Sequence, residues 1–161
     1  QKHAVKSPTL LRAVSWALGT RMESALEIEY VIDETTKILV SASNGYFSGY
    51  TEDYINKNWL VSLANGLRGF PTSLESKVDF YSKLTDPENS SLSLHFYCRD
   101  NKGHTSVKVC IRGTQNYKPS PEFASFELQF EASALDSFVQ SILGMASSGE
   151  GKLKLTGIKN A

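Results

Sequence analysis

The chain has 161 residues, with 17 Lys and Arg balancing 17 Asp and Glu, so its net charge is zero. That length suits one domain able to bury a sizeable core without disulfide or metal. Overall neutrality argues against a general nucleic-acid binder, which carries a basic excess to meet phosphate, and no apolar run reaches the ~18 residues of a membrane span. The expectation is a cytoplasmic protein.

Charge is unevenly spread. Lys2, Lys6, Arg12 and Arg21 stand without an acid in residues 1–21, which leaves 13 bases against 17 acids beyond them. Three readings of this basic segment are open. Ser7 can cap and Pro8 start a helix whose stripe is Leu10, Leu11, Val14 and Leu18 and whose end is Gly19. A targeting segment is the second reading, although Arg12 interrupts its apolar run. The third is sequence foreign to the domain, or upstream of a start at Met22, since the chain opens on Gln.

From Leu26 the pattern has period two. Leu26, Ile28, Tyr30 and Ile32 alternate with Glu27, Glu29 and Asp33, which predicts a half-buried strand. "DETTK" reads as a turn, "ILVSA" as its partner strand, Asn44-Gly45 as punctuation, and "YFSGYT" as a short third strand. Asp53 is a suitable cap for a helix whose buried positions are Ile55, Trp59, Leu60, Leu63, Leu67 and Phe70. Gly69 and Pro71 end it. "KVDFYS" is then a strand and "TDPENSS" a loop.

The stretch "FYCRDNKGHTSVKVCI" reads as a hairpin. With its turn on Asn101 and Lys102, Phe96 meets Val107, Leu94 meets Val109 and Leu92 meets Ile111. Tyr97, His95 and Ser93 then meet Ser106, Lys108 and Cys110 on the other face, and a one-residue slip would mix the two sets. Gly103 suits the turn exit. "FELQF" returns as a strand with Phe126, Leu128 and Phe130 inward. Ser133, with Asp136 three residues on, caps a second helix buried through Leu135, Phe138, Val139, Ile142 and Leu143. "KLKLTG" is either a last edge strand or a frayed tail, and residues 148–161 are expected as a flexible basic tail after one domain over 22–147.

These signals predict an α+β fold: a mainly antiparallel β-sheet, taken as single, with two amphipathic helices packed on one face and a charged face toward water.

Little here assembles into chemistry. Cys98 and Cys110 fall on opposite faces and about 17 Å apart along the ladder, too far for a disulfide, so two free thiols are expected, one in the core and one outside. His95 and Cys110 share the outer face diagonally, but a dyad also needs hydrogen-bond reach and an orienting group. His104 reads as a turn-exit residue bonding Asp100. The histidines at 3, 95 and 104 match no zinc spacing, and phosphate-loop and nucleophile-elbow motifs are absent. No catalytic residue, metal site or cofactor is assigned.

The suggestive residues are aromatic: Tyr46, Phe47, Tyr50 and Tyr54 before the first helix, and Tyr117 in the "NYKPSPEF" loop. They either close the end of the core or serve as exposed interface anchors.

"LRGFP", "LSLHFYCRD", "DNKGHTSVKV" and "FELQFEASALDSFVQSIL" together resemble a family of small bacterial domains of uncharacterised function, in which an Asp-x-x-Gly-His hairpin precedes a strand and a C-terminal helix. The resemblance spans residues 22–147 and implies an α+β bacterial domain, with no activity or site to carry over. The first segment and the "GKLKLTGIKNA" tail have no counterpart in it.

The functional expectation is a non-enzymatic domain that binds another protein, with the masking of a toxin, as immunity proteins do, as one form of it. The alternatives are a small-molecule-binding or enzymatic domain with its pocket between sheet and helices, and a self-associating subunit pairing through an edge strand such as 26–32. The molecule is expected as a monomer or homodimer, with no nucleic acid and no membrane as partner.

Overall fold

The computed structural model describes residues 23–113 and 122–159. The basic N-terminal segment, Met22 and Tyr117 lie outside the described residues.

Eight strands and two helices follow in the order β1 (Ala25–Ile32), β2 (Thr36–Ser43), β3 (Ser48–Tyr54), α1 (Trp59–Leu67), β4 (Lys77–Tyr81), β5 (Leu92–Cys98), β6 (His104–Arg112), β7 (Phe123–Glu131), α2 (Ala132–Ser148) and β8 (Gly151–Thr156). The fold is α+β with antiparallel pairing throughout. It has two sheets rather than the expected one, ordered β3-β2-β1-β8 and β4-β5-β6-β7. Each sheet has one apolar face. Two such faces closed on a shared core leave both charged faces in water, and the long β3–α1–β4 connection frees β3 from pairing with β4.

Period-two alternation sets the inner faces. Leu26, Ile28, Ile38, Val40, Leu153 and Leu155 of the first sheet meet Leu94, Phe96, Val107, Val109, Leu128 and Phe130 of the second in one cluster with both helices. Trp59 is fully buried. Its indole N–H donates to the Tyr81 carbonyl at 2.9 Å, and its ring meets Phe80 edge-on.

The β5–β6 hairpin has the register read from the sequence, with Leu92↔Ile111, Leu94↔Val109 and Phe96↔Val107. Gly103 takes φ +83° at its exit, a region costly for any residue with a Cβ.

Four local expectations need correction. Asp53 caps no helix: it ends up within β3, and α1 begins at Trp59 after Asn58. The Asp53 carboxylate instead accepts from Ser82 Oγ at 2.5 Å and from the Ser91 N–H at 3.2 Å, joining the first sheet to the second. Ser133 lies inside α2, whose N-cap is Glu131 with no side-chain cap bond. Residues 26–32 form an inner strand, because β8 pairs with β1 from Ala25↔Thr156 to Tyr30↔Gly151. The same pairing makes "KLKLT" a strand rather than a frayed tail. Beyond it, Gly157 N–H donates to the Ser24 carbonyl and Ile158 N–H to the Gln129 carbonyl, both at 2.7 Å. The chain thus crosses from the first sheet to β7 of the second.

Candidate functional site

The aromatic strip is set by a turn. The Asn44 side-chain carbonyl accepts from the N–H groups of Tyr46 and Phe47, at 3.0 and 2.9 Å, while Gly45 adopts φ +92°. This fold-back sends Tyr46 and Phe47 to the tip and starts β3. Along β3 alternation then puts Tyr50, Glu52 and Tyr54 on the outer face, opposite Ser41, Leu39 and Lys37 of β2.

These rings do not close the core. Tyr46 is 51% exposed, Phe47 66%, Tyr50 60% and Tyr54 66%. The stem of the loop that carries Tyr117 lies close by: Gly113 N–H donates to the Glu122 carbonyl, and Gly49 of β3 packs against Ile111 and Ala124.

A cleft of about 470 Å³ opens beside Tyr54, where β2 and β3 meet the β4–β5 loop and the end of β6. Its charged lining is Lys37, Lys83 and Arg112 against Glu52, Asp53 and Asp86. Among the described residues no thiol or histidine lines it.

The residues suited to catalysis are dispersed. Both cysteines are free and half-buried. Cys98 Sγ donates to the Asp100 carbonyl at 3.0 Å, so it ends the inner stripe at the hairpin tip instead of entering the core. Cys110 lies on the outer face 3.5 Å from Ser125 Oγ. His95 does not pair with it; its Nδ1 lies 2.8 Å from Asp79. His104 Nδ1 lies 2.5 Å from Asp100. That bond, with the N–H groups of Lys102 and His104, holds the Asp100 carboxyl below its usual range. Among the described residues no group of three His, Cys, Asp or Glu could hold a metal, and no helix is long and apolar enough to cross a membrane.

One feature escaped the sequence reading. On the outer face of the second sheet, the Tyr97 hydroxyl of β5 reaches over β6 to donate to Glu127 Oε2 of β7 at 2.8 Å. Ser106, its partner on β6, is 0% exposed although it faces outward, so the ring lies across it. Burial, and then the bond to Glu127, push the Tyr97 phenol up from its ordinary pKa. On the same face, Tyr81 and His95 meet each other edge-on. The signal available was a tyrosine opposite a serine on a solvent face, which leaves room for a ring to lie down.

No protein-family model matches the chain, and no curated protein matches it. The kinship suggested by the Asp-x-x-Gly-His hairpin therefore rests on those short motifs alone. Among solved structures, one from Trypanosoma brucei, described as MRP1/MRP2, is similar at 15% identity and a TM-score of 0.37. The alignment covers 91% of this chain and 98% of that one. At this depth the likeness assigns no activity.

Proposed function

We propose that the protein is a non-enzymatic binding domain that recognises another protein through the strip Tyr46, Phe47, Tyr50 and Tyr54. The exposure of four large rings on one turn and its following strand carries this reading. Tyrosine couples a large contact area to a polar tip at low entropic cost, which is why it anchors interfaces. The dispersal of His95, His104, Cys98 and Cys110 among separate partners favours binding over catalysis. A stable interface would bury about 800 Å² per partner. Affinity capture with the full chain, run beside Tyr50→Ala/Tyr54→Ala, tests it. A specific protein held by the first and released by the second supports the strip. A protein held equally by both rules the strip out.

A second reading follows from Tyr97. A four-stranded antiparallel sheet with rings on its open face is a surface on which unpaired bases stack. Here Tyr97 is laid flat, with Lys77, Lys108 and Arg99 exposed around it. Two of the acids on that face, Asp79 and Glu127, are engaged by His95 and Tyr97. This reading places single-stranded nucleic acid on the second sheet, against the expectation from net charge. Recovery of nuclease-sensitive material in the same capture, lost with Tyr97→Ala and kept with Tyr50→Ala/Tyr54→Ala, would favour it over the first.

A further inference from the structure

The cleft beside Tyr54 has a charge arrangement that the aromatic strip does not use. Lys37 comes from β2, Lys83 from the loop after β4, and Arg112 from the last position of β6. Among the described residues none of the three is ion-paired to a carboxylate. Arg112 spends one N–H on the Glu88 carbonyl, at 2.9 Å, and keeps the rest of its fork.

The acids of the cleft are differently placed. Asp53 accepts from Ser82 and Ser91. Asp86 accepts from the Asn89 side-chain amide at 2.7 Å. Glu52 alone among them has a carboxylate that no donor of the described residues holds, and it stands on the outer face of β3, at the rim. Two acids are held by neutral donors and keep their charge, so the lining's formal charge sums to zero, but its three cations, from three elements, have no carboxylate among the described residues within 4.0 Å. The lysines of β8 provide the contrast: Lys154 lies 2.7 Å from Glu23 and 3.9 Å from Glu27, and Lys152 4.0 Å from Glu29.

We propose that this cleft is an anion site that takes a phosphate group. Arginine offers a planar fork to two oxygens, and lysines add point charges, a combination matched to an oxyanion of more than one negative charge. The cleft, at about 470 Å³, falls in the range of small-ligand sites and exceeds what phosphate alone fills. The exposed Tyr54 ring on its wall offers a surface to whatever flat group the phosphate carries.

Inorganic phosphate and phenyl phosphate, titrated into the isotopically labelled full chain at constant ionic strength with acetate as control, test the site by NMR. Saturable shifts are expected at residues 37, 52–54, 83, 91 and 112–113. Arg112→Ala and Lys83→Ala should each weaken binding about tenfold or more, the worth of one charge-assisted hydrogen bond. Lys152→Ala/Lys154→Ala should leave it unchanged. Glu52→Gln should tighten it. Tighter binding of phenyl phosphate, abolished by Tyr54→Ala, would assign a phosphomonoester of a flat group, and equal binding of the two would assign free phosphate. Shifts that do not saturate, equal shifts with acetate, affinity that survives both cation variants, or weaker binding by Glu52→Gln would overturn the site.

Discussion

The first sheet has two edges, and they are treated in opposite ways. β8 turns Lys152 and Lys154 outward, next to Glu29, Glu27 and Glu23. β3 turns Tyr50 and Tyr54 outward, both more than half exposed. An edge strand offers unpaired backbone groups, and lysines on it discourage pairing with another chain. β8 is therefore a guarded edge whose work is internal, because Leu153 and Leu155 on its other face belong to the core. β3 carries no lysine and one outward charge, Glu52, and its large side chains are spent on the surface.

The comparison can be broken most severely at Leu155. Leu155→Ala should cost about 2–5 kcal/mol, the usual range for a buried leucine, whereas Tyr54→Ala should stay within about 0.5 kcal/mol as an exposed substitution. Urea unfolding followed by tryptophan fluorescence measures both, and equal costs would erase the distinction between the edges. Gly157→Ala comes next. A methyl there would lie 2.3 Å from Ser24 Oγ and 3.1 Å from the Gln129 carbonyl. The expected loss is about 1–3 kcal/mol from overpacking where the sheets meet, read in the same transition.

Exchanging the side chains sharpens the comparison. Lys152→Tyr/Lys154→Tyr should make the protein associate in a concentration-dependent way, visible by light scattering. Tyr50→Lys/Tyr54→Lys should keep the fold and, if the proposed strip binds a protein, abolish its capture. A smaller effect is pH dependence. The hydrogen bond to Glu23 raises the Lys154 pKa above its ordinary 10.5. Its contribution is thus complete below that value and lost as pH rises through the raised one. Asp100, lowered by His104 from 3.8, behaves oppositely: its contribution is present above 3.8 and lost as pH falls through the lowered value. Alkaline and acid melts of Glu23→Gln and His104→Ala should therefore each lose one limb of the pH dependence.

The β5–β6 hairpin was legible to the residue because its turn is short and its two faces differ in polarity, so a single register separates them. Sheet count was not legible. Alternation tells which side of a strand is buried, but it is silent on which strands are neighbours across a connection as long as 55–76. β8 was half legible, since "KLKLT" alternates while its partner, β1, stands at the other end of the described chain. Asp53 misled because a helix cap and an acceptor between two sheets need the same short carboxylate. At the candidate site the rings were visible and their exposure was not, since exposure depends on what the tertiary fold leaves uncovered. The grouping of Lys37, Lys83 and Arg112 was hidden for the same reason.

The first described strand finds one of its two neighbours in the last. During synthesis β1, β2 and β3 can pair as soon as they emerge, yet one flank of β1 and the bottom of the core stay open until residues 151–156 leave the ribosome. Pairing across so long a stretch is slow to nucleate, and an unmatched flank on a nascent chain is prone to aggregate. A chain stalled before residue 151 should therefore be protease-sensitive in β1 and a substrate for chaperones, while one released after residue 158 should be neither.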